Sequence, residues 1–360
     1  GDHIAGCMDW DAALEGMDAA DIPDPVLGST MLYTSGTTGR PKGVYRPPMD
    51  PAHAAQMQQM LTAVFQFDPE SGKDRALATG PLYHQGPFSL CFTTPLTAGI
   101  GAVLMDKWEP GRMLALIAEH RITHTFCVPT MFTRLLQLPE EVRARHDVSS
   151  LRFVIHGAAP CAVETKQRML DWWGPILWEM FAGTEGMGTI VSPQEWLAKP
   201  GTVGRPGPGQ VRILDEQGAE LPRGASGMVY LLNPAGSAFE YYKDPAKTAS
   251  ALREGYFTAG DIGYLDADGY LFLSGRSAEV IISGGVNIYP QEIDDVLALH
   301  PAVADVACVG VPNEDLGEEI RAVVALRPGH AGDAALRQSL MDFCVERLAN
   351  RAAELQAATP

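Results

Sequence analysis

Positive charge is scarce in this chain of 360 residues: 27 lysines and arginines stand against 44 aspartates and glutamates, a formal net charge of −17. That balance argues against a general surface for nucleic acid or for an anionic membrane. Anionic ligands stay open, because backbone N–H groups and a few local cations are enough to build a phosphate site. No lysine follows Lys247. Cysteine is sparse too: Cys7, Cys91, Cys127, Cys161, Cys308 and Cys344 are scattered, with no CxxC pair and no His/Cys cluster at zinc spacing. Several sit in apolar runs such as Thr125-Phe126-Cys127-Val128, which points to reduced, buried thiols and a cytoplasmic setting. No stretch approaches about 18 consecutive apolar residues, and Gly1-Asp2-His3 lacks the charged and apolar regions of a signal peptide. Neither a transmembrane helix nor a secretory leader is expected.

What remains is ordinary globular material, 46% hydrophobic and 20% charged. At about 100–200 residues per domain the length suggests two domains, or one large domain with a small partner. Residues 1–28 are acidic and end in Asp21-Ile22-Pro23-Asp24-Pro25, which reads as a linker or cut edge. From 74 to 181 the pattern alternates. Strand-like runs at Arg75–Thr79, Gly101–Met105, Thr123–Val128, Leu151–Ile155 and Ile176–Phe181 are interleaved with helix-like runs at Met113–His120, Met131–Leu136 and Ala162–Trp172. Such alternation predicts an α/β domain: a mixed, mostly parallel sheet with helices on its faces and ligands at the carboxyl ends of its strands. Gly201 to Gly269 is rich in glycine and proline with short strands, including Val211–Leu214 and Met228–Leu232, which fits a β-rich subdomain. After Arg276 the character changes again. Pro290 opens a helix at the favoured first position, Val303–Val311 and Ile320–Leu326 read as strands, and Ala334–Leu348 as an amphipathic helix before an alanine-rich frayed tail. A small α+β domain over 277–360 is expected, behind a larger domain over 29–276.

The strongest local signal is Tyr33-Thr34-Ser35-Gly36-Thr37-Thr38-Gly39-Arg40-Pro41-Lys42-Gly43. Glycines let the backbone approach a polyanion, hydroxyls and N–H groups donate to its oxygens, and Lys42 supplies a point charge. The spacing differs from the G-x-x-x-x-G-K-[ST] nucleotide loop.

This string resembles the phosphate-binding signature of the adenylate-forming superfamily of acyl-CoA synthetases, luciferases and peptide-synthetase adenylation domains. Four further motifs match in the same order. They are Phe181-Ala182-Gly183-Thr184-Glu185, Gly201-Thr202-Val203-Gly204-Arg205-Pro206, Tyr256-Phe257-Thr258-Ala259-Gly260-Asp261, and Gly275-Arg276 followed by Ile281 to Glu292. The resemblance implies a free-standing acid–CoA ligase, which joins a small-molecule carboxylic acid to coenzyme A by way of ATP, Mg²⁺ and an acyl-AMP intermediate. It further implies a small C-terminal domain that rotates between the two half-reactions. Thr34, Ser35, Gly36, Thr37, Thr38, Gly39 and Lys42 would hold the phosphates, with Ala158, Phe181, Ala182 and Gly183 around the adenine. Thr184 would donate to a phosphate oxygen, Glu185 would hold Mg²⁺, Asp261 would accept from the ribose hydroxyls, and Arg276 would reach ribose or phosphate. His84 would line the acyl pocket and the route of the thiol, and Ser283, Gly284 and Gly285 would lie along the pantetheine arm.

Three departures from the family pattern qualify this expectation. Relatives carry a substantial segment ahead of the phosphate loop, which begins here at residue 34. Their C-terminal lysine, in a P-x-x-x-x-G-K string, has no counterpart. Ala278 replaces the Lys or Asp usual at the hinge. The chain is therefore expected to be truncated at both ends, with weak or no adenylation of its own. Two alternatives are a carrier-loading adenylation domain and a non-catalytic nucleotide-binding remnant.

Overall fold

The computed structural model describes residues 6, 8–20, 23, 28–34, 42–233, 239–284 and 286–357, leaving aside the side chains of Trp10, Thr34 and 349–357. Its centre is a six-stranded sheet in the order Gly101–Leu104, Arg75–Ala78, His124–Cys127, Phe153–Gly157, Leu177–Gly183, Gly186–Val191. The first five strands run parallel and the last returns antiparallel through a tight hairpin. The mostly parallel sheet expected from the alternation is present. His124–Cys127 and Phe153–Gly157 are buried at every residue, because helices cover both faces of the sheet and leave no solvated side for a polar alternation.

The helices start where their caps dictate. Glu109 accepts from the N–H groups of Gly111 and Arg112, at 2.9 and 2.6 Å, and Pro110 takes the first position of Pro110–His120. Ser192 and Glu195 close a reciprocal capping box on Pro193–Ala198. One face of the sheet packs Met113, Ile117, Phe132, Met169 and Trp196, and the other packs Phe65, Phe67, Leu90, Phe126 and Phe153. The chain leaves Arg75–Ala78 toward one sheet edge and resumes on its other side at His124–Cys127. A crevice therefore opens at the strands' carboxyl ends, at the point where the strand order reverses.

Beside this lobe stands the β-rich subdomain. It is an antiparallel sheet of Leu252–Arg253, Tyr256–Phe257, Gly227–Leu232, Asp261–Leu265 and Leu271–Arg276, with Val211–Leu214 paired to Gly227–Leu232. A separate three-stranded sheet joins Leu32–Thr34, Lys42–Tyr45 and Glu240–Tyr241. The small C-terminal lobe is an antiparallel sheet of Val286–Ile288, Ile281–Ser283, Gly317–Leu326 and Val303–Asn313, with helices Pro290–Leu297 and Ala334–Ala357.

Three elements differ from the sequence reading. The helix Pro51–Val64 was not anticipated, although Asp50 caps the His53 N–H at 3.0 Å and Pro51 opens it; it buries no residue fully, so its periodic signal is weak. Gly86–Thr93 winds as a wide i→i+5 turn. The last helix continues to Ala357 where a frayed tail was expected, since Ala, Glu, Leu and Gln are all good helix formers and no glycine or proline interrupts them.

Candidate active site

The crevice is a cleft of ≈ 2290 Å³ lined from both lobes. Its rim over the parallel sheet begins at the end of Phe153–Gly157. Gly157 is required there: a Cβ would fall 2.4 Å from the Met180 carbonyl oxygen of the neighbouring strand. Ala158 then takes a left-handed backbone, φ +69°, a strained choice for a residue with a Cβ and one that clusters at ligand sites. Ala158 lines the cleft.

On the next strand Phe181, Ala182 and Gly183 run along the cleft wall. Phe181 also packs against the subdomain core, so one ring serves both core and cleft. Thr184 and Glu185 form the turn before Gly186–Val191. Gly186 lets that turn lie against the Phe257 ring, where a Cβ would sit 2.6 Å from the nearest ring carbon.

Glu185 is the electrostatic centre. The Tyr241 hydroxyl donates to its Oε1 at 2.9 Å, and the Arg46 guanidinium donates to its backbone oxygen. Burial first, then the Glu185 charge, pushes the Tyr241 hydroxyl well above its ordinary range, so it stays a donor. Lys42 lies with its ammonium 5.3 Å from the centroid of the Tyr241 ring. Burial, reinforced by the neighbouring Lys247 and opposed by Glu185, pulls Lys42 down to about 8.

Across the cleft, Asp261 and Arg276 are cross-strand partners, with Arg276 Nε 3.4 Å from Asp261 Oδ1. Burial raises the Asp261 carboxyl and Arg276 opposes that rise. His84, exposed beside the Tyr83 ring, lines the same cleft, as do Phe126, Val128 and Met180.

Of the sequence-predicted residues, the structure brings Lys42, His84, Ala158, Phe181, Ala182, Gly183, Thr184, Glu185, Asp261 and Arg276 to one cleft. Thr34 pairs with Lys42 across the Leu32–Thr34 and Lys42–Tyr45 ladder. Ser35, Gly36, Thr37, Thr38 and Gly39, which that ladder connects, lie outside the described residues, as does Gly285. Ser283 ends a small-lobe strand, and the Gly284 N–H donates to the Leu316 carbonyl at 2.8 Å; neither lines the cleft. Sequence reasoning missed Arg46, Tyr241 and Lys247. The Asp244-Pro245 cap signal ahead of Lys247 was available, but the pairing of Glu240–Tyr241 with Lys42–Tyr45 was not, because it joins positions nearly 200 residues apart.

Under the Gly157–Ala158 turn lies a second polar group. Lys166 Nζ donates to Glu179 Oε2 at 2.6 Å and sits 4.7 Å from the Trp196 ring centroid, and His156 Nε2 is 3.6 Å from the same carboxylate. Burial lowers Lys166 and raises Glu179, and each counters the other. Burial and the Lys166 charge drive His156 well below its ordinary value, so it is neutral.

The small lobe presents Gln291, Glu292 and Asp295 to the cleft and is tied across it by Arg347 to Glu164 at 3.1 Å. Among the described residues no cluster of three or more His, Cys, Asp or Glu is placed to hold a metal, and no helix is long and apolar enough to cross a membrane. The Glu185 carboxylate, in the cleft with Lys42, suits Mg²⁺, which takes one or two carboxylates together with phosphate oxygens and waters.

A two-lobed α/β protein with a cleft at the carboxyl ends of its sheet, where Lys42 and Arg276 stand with Glu185 and Asp261, faced by a small α+β lobe, is the class that fold and site define. The chain belongs to the AMP-binding enzyme family: the model for the AMP-binding enzyme matches residues 7–242, and that for the AMP-binding enzyme C-terminal domain matches 292–357. It is 34% identical over 351 residues to an indoleacetate–CoA ligase of Aromatoleum aromaticum, covering 95% of this chain and 66% of that one. Among solved structures it resembles ATP-bound MatB from Rhodopseudomonas palustris, with a TM-score of 0.71 and 33% identity over 87% of this chain and 60% of that one. It also resembles o-succinylbenzoate CoA synthetase from Bacillus subtilis in complex with its acyl-adenylate intermediate, with a TM-score of 0.72 and 27% identity over 88% and 62%. The chain spans two thirds or less of the length of the curated relatives it matches.

Proposed function

We propose that this chain carries the ATP-handling part of an ATP-dependent acid–CoA ligase. The observation behind this reading is the convergence of Lys42, Thr184, Glu185, Phe181 and the Asp261–Arg276 pair on one cleft at the strands' carboxyl ends. A carboxylate oxygen attacks the α-phosphorus of ATP, the bond to the bridging oxygen breaks, and pyrophosphate leaves. The thiol of coenzyme A then attacks the acyl carbon, its proton is lost, and AMP departs with the bonding electrons.

The protein's work is positioning and charge compensation. Phe181 offers a flat face to adenine. Asp261 has two acceptor oxygens for the ribose hydroxyls, and Arg276 holds that carboxylate in place. Lys42 and Thr184 face the phosphates, and the hydroxyls and backbone N–H groups of Thr34, Ser35, Gly36, Thr37, Thr38 and Gly39 are further donors to them. Mg²⁺ on Glu185 and the phosphates would offset charge on the leaving group. His84, Phe126, Val128 and Met180 bound an apolar end with one imidazole, which suits an acid with an apolar tail. Ser283, Gly284 and Gly285 meet the pantetheine arm once the small lobe rotates, a hinge motion. A cytoplasmic setting fits this chemistry.

The test is pyrophosphate release from ATP–Mg²⁺ with a panel of carboxylic acids, with and without coenzyme A. Acid-dependent release is expected, and thioester formation with coenzyme A separates this reading from carrier-protein loading. ATP binding with no pyrophosphate release in any acid would favour a second reading, nucleotide binding without turnover.

A further inference from the structure

Lys42 has a companion. Lys247 stands beside Lys42 and Tyr241, both of which line the cleft; it is carried by the helix Pro245–Ala251, and backbone pairing fixes its approach. Tyr241 pairs with Val44, and the Tyr242 N–H donates to the Gly43 carbonyl at 2.8 Å. The Tyr241 N–H donates to Thr248 Oγ1 at 2.9 Å, and the Thr248 hydroxyl donates to the Asp244 carbonyl at 2.9 Å. Asp244 Oδ1 accepts from the Lys247 N–H at 3.0 Å. The helix bearing Lys247 is thus fastened to the strand bearing Lys42.

Both ammonium groups lie over one ring, Lys42 Nζ at 5.3 Å and Lys247 Nζ at 6.0 Å from the Tyr241 centroid, near enough to interact directly. Two ammonium groups held this close repel each other. The Glu185 carboxylate nearby already accepts from the Tyr241 hydroxyl, and Arg46 and Arg276 add further positive charge around it. In a chain of net charge −17, this concentration of cations runs against the composition. An anion with several terminal oxygens would span both lysines and turn their repulsion into two charge-assisted contacts.

We propose that Lys247 is the second cation of the polyphosphate end of the site, closing with Lys42 on the β- and γ-phosphates of ATP and on the departing pyrophosphate. The proposal rests on the ATP-dependent reading above. It gives the pair a selective role, because AMP lacks the group they hold. A lysine that merely packed on Tyr241 would leave the preference for ATP over AMP unchanged.

The experiment is calorimetric titration of the full chain with ATP–Mg²⁺, AMP and inorganic pyrophosphate, for the wild type, Lys247→Ala and Lys247→Met. The methionine variant keeps the apolar stem over Tyr241, and thermal melts check that both variants fold. Both should lose about ten- to a hundredfold in affinity for ATP and pyrophosphate, the range for one charged hydrogen bond, with AMP affinity held within about twofold. ATP affinity unchanged in both variants, or AMP affinity falling in step with it, overturns the proposal. A wild-type chain that binds neither nucleotide overturns the ATP reading as well.

Discussion

At the scale of single residues, the proposed function separates the site into groups that would see the nucleoside and groups that would see the phosphates. It assigns Asp261 to the first. Its carboxyl is largely buried, which raises it above the usual carboxylate range, and Arg276 at 3.4 Å opposes that rise. Asp261→Ala removes a charged acceptor, a change of about 1.5–3 kcal/mol in a hydrogen bond of this type. It should weaken ATP and AMP alike, by about tenfold or more in each, as measured by equilibrium dialysis. A loss confined to ATP would place Asp261 on the phosphates instead. What the sequence made legible follows a different division. Asp261, Glu185 and Lys42 sit in short strings whose residue order carries the chemistry. Tyr241, Arg46 and Lys247 act through contacts between strands and helices far apart in the chain, and no local pattern marks them.

At the scale of elements, the strongest constraint is a helix pinned to a strand by charge. Lys166, fully buried on Val163–Trp173, meets Glu179 on Leu177–Gly183, directly under the turn that bears Ala158. Removing one partner of a buried pair strands the other charge and costs about 3–5 kcal/mol, whereas replacing both with apolar residues is often close to neutral. Lys166→Met should therefore be destabilised by about that much in urea unfolding, and Lys166→Met with Glu179→Met should recover most of it. A single variant within about 1 kcal/mol of the wild type would mean that the pair is not held as an ion pair. The parallel strands themselves were legible, because continuous apolar runs such as Thr123–Val128 need two covered faces. The pinning was not: Lys166 lies in a polar-looking stretch, Glu164 to Arg168, and only the fold turns one of its members inward.

At the scale of the whole molecule, the two lobes differ in what they bury. The large lobe encloses His124 and His156, at 3% and 0% exposure, within adjacent strands of the central sheet. Burial lowers His124 from 6.5 to about 4, partly offset by Asp74, and lowers His156 in the same direction. A histidine whose folded value is depressed binds its proton more readily when unfolded. Its contribution is thus intact above about pH 6.5 and is lost as the pH falls toward 4. For His124 this is about 3 kcal/mol at most, with His156 adding to it. The small lobe's His300 is also lowered, by burial and by His330, but lies nearer the surface. Acid should therefore unfold the large lobe first. All six tryptophans, Trp10, Trp108, Trp172, Trp173, Trp178 and Trp196, precede the small lobe, so their fluorescence reports the large lobe alone, while far-ultraviolet circular dichroism reports both. Titrated from pH 7 to 4, the fluorescence transition should come at higher pH than the last part of the dichroism change. His124→Gln should flatten the loss of stability across that window by up to about 3 kcal/mol. Coincident transitions with the same pH slope in the variant would show that the lobes unfold as one unit and that His124 takes up its proton without opening the sheet.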